Sequence, residues 1–167
     1  MKAIVLQHIK IEDPGYIKDL MLADGWNLTT IELDEGDKIP KNLNEFDAML
    51  CMGGPMDTWM EKEFPWLIEE KLRIKEFVLD MEKPFLGFCL GCQLLGEILG
   101  GNVIKSSPPE IGILDINMSQ KNKDDQLFSD AILSNFSRAP GPKLSSSAFL
   151  YSGTQAQSPT VLLFISI

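Results

Sequence analysis

The stretch Pro84-Phe85-Leu86-Gly87-Phe88-Cys89-Leu90-Gly91-Cys92-Gln93 carries the side chain best suited to nucleophilic chemistry. A short apolar run ends at Cys89, glycines stand two residues to either side, and an apolar segment, Leu94 to Leu99, follows. A chain that turns sharply from strand to helix strains its turn residue and leaves no room for a Cβ on the flanking positions. Gly-x-Cys-x-Gly is the cysteine form of that nucleophile elbow. The turn lifts the sulfur clear of the sheet edge, where the N-terminus of the next helix favours the thiolate. Such a sulfur can attack a carbonyl carbon if one partner holds the oxyanion and another moves the proton.

Gly53-Gly54-Pro55, after a buried apolar run, is the candidate for the first partner. A glycine loop beside an elbow lets backbone N–H groups point at a developing oxyanion, and the N–H of Leu90 would complete the pair, worth several kcal/mol at the transition state. The second partner is harder to find. His8 is the one histidine of the chain and lies just past the first apolar run, on the same rim, but the sequence around it offers no residue to orient a base. Cys89 and Cys92 also form Cys-x-x-Cys at a helix start, the position of a dithiol redox pair. The elbow glycines have no role in such a site, so the hydrolytic reading is preferred. Cys51, inside an apolar run, reads as core.

These residues need a scaffold. Lys2 to Gln7 suits a strand buried on both faces. Asp13-Pro14 starts a helix that runs to about Ala23 and stops near Gly25. Asn27 to Leu33 is β-prone, and Phe46 to Met52 is a third strand that ends at the Gly53 loop. Pro65 to Met81 reads as an amphipathic helix with Leu67, Ile68, Ile74, Phe77, Val78 and Met81 inward and its charges opposite. Pro84 to Phe88 is the fourth strand, Cys92 to Leu99 the next helix, and Gly100-Gly101 its stop. Val103-Ile104 and Ile113 to Met118 read as further short strands. Strands alternating with helices give an α/β fold, a three-layer, doubly wound, mostly parallel sheet with ligands at the carboxyl ends of its strands.

Length and charge narrow the function classes. A chain of 167 residues is most simply one domain with a real core. Its net charge of −9, with no basic run, argues against nucleic acid. No apolar run reaches the ~18 residues that cross a membrane, and the start reads as a strand rather than a signal peptide. Three cysteines suggest free thiols and a cytoplasmic setting. All 24 acidic residues lie at or before Asp130, so residues 131–167 differ in kind, being rich in Ser, Pro and Gly and ending in an uncharged β-prone run. The expected division is therefore a domain over 1–130 and an atypical segment over 131–167.

The elbow, with Met52-Gly53-Gly54-Pro55-Met56 before it, resembles the class I glutamine amidotransferases. Val5-Leu6-Gln7-His8, Phe64-Pro65-Trp66-Leu67 and Glu110-Ile111-Gly112 resemble the stand-alone branch similar to the amidotransferase domain of GMP synthase. The resemblance implies a flavodoxin-like sheet and a cysteine hydrolase. Cys89 would attack the side-chain amide of glutamine, releasing ammonia and leaving a γ-glutamyl thioester that water hydrolyses. It implies Gly54 and Leu90 as oxyanion donors, and Gly53, Gln93 and Gly112 around the substrate. No metal or organic cofactor is implied, and a partner protein would accept the ammonia.

One departure stands out. The family completes its triad with a His-x-Glu or His-x-Asp pair in the C-terminal quarter, where this chain has no histidine and no acid beyond Asp130. The expectation is weak or absent glutaminase turnover, with the segment after Asp130 foreign to the domain through a frameshift, an altered splice or a gene-model error. A γ-glutamyl peptide hydrolase and a catalytically incomplete glutamine-binding or regulatory module are the competing functions.

Overall fold

A computed structural model describes residues 1–105 of the chain. Four strands form one parallel sheet in the order β2-β1-β3-β4: β1 Lys2–Gln7, β2 Asn27–Glu32, β3 Ala48–Cys51 and β4 Phe85–Gly87. Helix α1 (Gly15–Ala23) crosses from β1 to β2, α2 (Trp66–Lys75) from β3 to β4, and α3 (Leu90–Ile98) leaves β4. The doubly wound parallel α/β fold expected from the sequence is present.

The alternation of side chains along each strand sorts the core into two layers. Ile4 and Leu6 of β1, with Met49 and Cys51 of β3, face a cluster shared with Leu67, Ile74 and Phe77 and with Leu90, Leu94 and Leu95 of α3. Ala3 and Val5, with Leu50 and Met52, face the other way, where Ile17 and Met21 of α1 pack on them. Strands buried on both faces read as continuous apolar runs, which is why no polar alternation marks β1 or β3.

Several boundaries move for local reasons. Asp13 does not cap α1 as its N-cap residue; its Oδ1 accepts from Gly15 N–H at 3.0 Å while Pro14 opens the helix. Gly25 (φ +79°) and Gly100 (φ +87°) take the left-handed backbone that ends α1 and α3. The single helix expected over 65–81 is α2 followed by a π-helical turn, Glu76–Asp80. Ile68, expected inward, is half exposed, and Glu70 takes a place on the buried face beside Leu67 and Ile74. Helix α3 starts at Leu90, not Cys92, directly after the elbow cysteine. Val103 and Ile104, expected as a strand, pair with no strand among the described residues. The expected strand at Ile113 to Met118, Gly112, and the segment 131–167 lie outside the described residues.

Candidate active site at the strand ends

Register decides which residues meet. Leu6 pairs with Cys51 and Cys51 with Gly87, one row across β1, β3 and β4. Two residues further along each strand come His8, Gly53 and Cys89, all on the carboxyl rim. Strand order reverses between β1 and β3, the switch point where open α/β sheets hold their ligands.

Cys89 sits at φ 45° and ψ −105°, a backbone region that L side chains rarely occupy. The surroundings hold it there. Phe88 N–H donates to Cys51 O at 2.9 Å, Gly91 N–H donates to Phe88 O at 2.8 Å, and Gln93 N–H donates to Cys89 O at 3.1 Å. Both flanking glycines are required by space. A Cβ on Gly87 would come 2.8 Å from the Gly91 carbonyl carbon, and one on Gly91 would come 2.3 Å from Cys51 O. The Cys89 side chain is half-buried, whereas Cys51 and Cys92 are buried, and none of the three is in a disulfide. Cys92 Sγ–H donates to Gly87 O at 2.8 Å, which braces the elbow from below.

The Gly53–Gly54 loop lies against this turn. A Cβ on Gly53 would fall 3.5 Å from Cys89 Cβ and 2.0 Å from Glu12 Oε2, so the Glu12 carboxylate occupies the space beside the loop. A Cβ on Gly54 would meet His8 Cβ at 2.9 Å and Leu90 Cδ2 at 3.3 Å. His8 and Leu90 thus both crowd the space a Gly54 side chain would take. Among the described residues, neither Gly54 N–H nor Leu90 N–H donates to another backbone carbonyl outside the regular elements. As the first N–H of α3, that of Leu90 has no acceptor within the helix. Gln93 is half-buried one turn into α3 from Cys89.

Behind the loop is a buried polar network that the sequence did not disclose. His8 and Glu70 are both fully buried. His8 Nδ1 lies 2.8 Å from Gly53 O and Nε2 lies 2.8 Å from Glu70 Oε1, while the ring stacks on Trp66 at 5.5 Å. A carbonyl oxygen only accepts, so Nδ1 carries the proton of the first bond. Cys51 Sγ–H donates to the same Glu70 oxygen at 3.4 Å. Burial disfavours the charged imidazole, but the charge and hydrogen bond of Glu70, the Gly53 carbonyl and the Glu12 charge outweigh it, so the His8 pKa is raised. Burial, then the Glu70 charge and hydrogen bond, push the Cys51 thiol well above its ordinary range. Glu70 thus favours the protonated form of the His8 ring and disfavours ionisation of the Cys51 thiol.

The expectation that nothing orients His8 is therefore overturned, because Glu70 stands against it. His8 is nevertheless unsuited as a base for Cys89, since both ring nitrogens are engaged and the ring is buried. The same three side chains offer metal-ligand atoms within 4.8 Å of one another. Yet the 2.8 Å between His8 Nε2 and Glu70 Oε1 is a proton-sharing distance. Two ligands each about 2.0–2.2 Å from a tetrahedral zinc would stand roughly 3.3–3.5 Å apart. Glu70 escaped notice because charge alone assigned it to the solvent face; its spacing, three after Leu67 and four before Ile74, was the available signal. No motif pointed to Glu12.

Comparison with known proteins bears on the family and the fold. The family model for glutamine amidotransferase class-I matches residues 17–138. The glutamine-hydrolyzing GMP synthase subunit of Sulfurisphaera tokodaii is 32% identical over 80 residues, covering 48% of this chain and 39% of that protein. The glutamine amidotransferase-like protein YfeJ of Salmonella typhimurium is 29% identical over 124 residues, covering 72% of this chain and 51% of its own. The chain thus spans about half or less of the curated relatives it matches. Among solved structures, a glutamine amidotransferase of Thermotoga maritima superposes with a TM-score of 0.55 at 30% identity, over 60% of this chain and 43% of that one. The structure of SMU.1228c shares the fold with a TM-score of 0.75 at 24% identity, over 99% of this chain and 76% of that one. No described helix is long and apolar enough to cross a membrane. An elbow cysteine beside a glycine loop on a flavodoxin-like sheet, together with a family match over most of its length, places this chain in the class I glutamine amidotransferase family.

Proposed function

We propose that Cys89 is the nucleophile of a glutamine-type thiol site, and that this 167-residue chain turns glutamine over weakly. The observation that carries the reading is the strained backbone of Cys89, packed against a glycine loop whose Gly54 N–H is not taken by a backbone carbonyl of the described residues. In the reaction, Cys89 Sγ attacks the side-chain amide carbon of glutamine, and Gly54 and Leu90 N–H groups hold the oxyanion. Collapse expels ammonia and leaves a γ-glutamyl thioester, which water hydrolyses to glutamate. Gly53, Gln93 and Gly112 border the substrate, with Gly112 assigned by family resemblance. Ammonia would pass to an accepting partner protein, as the similarity to glutamine-hydrolyzing GMP synthase subunits suggests.

The proton steps limit the rate. The chain's one histidine is His8, whose two nitrogens are both occupied. Lost general acid–base help lowers turnover by ~10²–10⁴-fold. The domain is taken to cover 1–130, with residues 131–167 outside it. The test is ammonia release from glutamine by the purified chain, with a γ-glutamyl dipeptide in parallel and Cys89→Ser as control. Expected are measurable glutamine binding by titration calorimetry and turnover well under about 1 s⁻¹. Turnover in the ordinary enzymatic range refutes the missing-base argument. No glutamine binding and no acylation of Cys89 refute the site, and faster cleavage of the dipeptide favours the peptide hydrolase.

A further inference from the structure

We propose that His8 is a positioning residue, held by Glu70 and Trp66, that turns the Gly53–Gly54 peptide so that Gly54 N–H faces Cys89. The inference rests on the reading of Gly54 as an oxyanion donor. His8 Nδ1–H donates to Gly53 O at 2.8 Å. In a trans peptide the carbonyl and the following N–H point in opposite directions. A Gly53 carbonyl drawn toward His8 therefore directs Gly54 N–H away from it. The loop itself lies against the elbow, a Cβ on Gly53 falling 3.5 Å from Cys89 Cβ, and the inferred direction of Gly54 N–H, away from His8, is toward that elbow.

The ring has little freedom to release the carbonyl. Glu70 Oε1 lies 2.8 Å from Nε2, and the ring stacks on Trp66 with an interplanar angle of 24°. Trp66 and Glu70 lie one turn apart on α2, so a single helix grips both the face and the far edge of the imidazole. The chain of contacts runs from α2 through His8 to the loop peptide, and it sets the loop before any substrate arrives. A buried histidine that only filled space would need no such donor on the loop side.

The test separates this role from packing by comparing two alkylations of Cys89 in the full chain. A chloromethyl ketone analogue of glutamine reacts by forming an Sγ–carbon bond while chloride leaves with the bonding pair and the thiol proton goes to solvent. Its ketone oxygen uses the oxyanion donors, whereas iodoacetamide does not depend on them. The readout is the ratio of the two rates, mapped to Cys89 by mass spectrometry. His8→Phe keeps the stack but deletes the donor, and the expected fall in the ratio is about tenfold or more. His8→Asn supplies an amide N–H near the Nδ1 position and is expected to keep the ratio within about threefold of the parent. If His8→Phe alone does not fold, His8→Phe/Glu70→Leu, which removes both halves of the buried pair, serves in its place. A folded donor-less variant with the parent's ratio overturns the proposal, and so does an equal loss in His8→Asn. If the parent shows no preference for the ketone over that of free cysteine, the oxyanion reading itself fails, and this inference with it.

Discussion

Glu70 gives the sharpest stability prediction. It is fully buried, its Oε1 shares a hydrogen bond with His8 Nε2 and accepts from Cys51 Sγ–H, and its second oxygen has no partner among the described residues. Glu70→Ala removes the partner of two buried groups, His8 and Cys51, and breaking a buried pair on one side costs about 3–5 kcal/mol. Against a typical domain stability of roughly 5–15 kcal/mol, that is a large fraction. Glu70→Gln keeps the shape. His8 can then be neutral with Nδ1–H still on Gly53 O and Nε2 accepting from the new amide, so the expected cost is about 1–2 kcal/mol. The pH dependence has a definite sign. The folded pKa of His8 is raised, so the pair's contribution is complete below the unfolded value near 6.5 and fades as pH rises through the folded value. The stability advantage of the parent over Glu70→Gln should therefore shrink as pH rises from the unfolded value of about 6.5 through the raised folded value. Urea unfolding followed by tryptophan fluorescence reports it directly, since Trp66 stacks on the ring. Equal costs for Ala and Gln, or a parent-to-Gln gap that stays constant with pH, would refute the ion-pair argument.

Three further outcomes follow from the elbow and the loop. Cys89→Gly relieves a strained positive-φ backbone and should raise stability by about 1 kcal/mol in thermal unfolding while abolishing alkylation at that position. Gly91→Ala drives a Cβ against the Cys51 carbonyl, which is backbone within β3 and cannot step aside. A loss of about 3 kcal/mol or more is expected, with Cys89 alkylation altered in the same variant. Gly53→Ala and Gly54→Ala should differ despite their adjacency. The first displaces the end of a flexible Glu12 side chain and should cost under about 1 kcal/mol. The second presses on His8 Cβ and Leu90, and about 1–3 kcal/mol is expected in denaturant titration.

The elbow was legible because its requirements are local. Glycines at 87 and 91 answer clashes that depend on the strand-to-helix turn itself, and the apolar run before Cys89 marks the strand that feeds it. The strands were legible through their continuous apolar character, and their parallel order through the helices between them. Helix ends shifted by one or two residues where caps rather than periodicity set them, as at Gly15 and Leu90. The His8–Glu70 pair was not legible. Its members are 62 residues apart, and nothing in either neighbourhood encodes the other.

The sequence alone determined the nucleophile candidate, the glycine loop that accompanies it, the doubly wound sheet and the want of the family's C-terminal histidine. Each of these depends on residue type and short spacing. Only the tertiary structure decided that His8, Gly53 and Cys89 fall in one row beyond the paired strands, and that a glutamate on the inner face of α2 holds the histidine against the loop. Register and helix phase make those choices. Both are settled when the whole core packs, because burying a charge is tolerable only where a distant partner is already waiting.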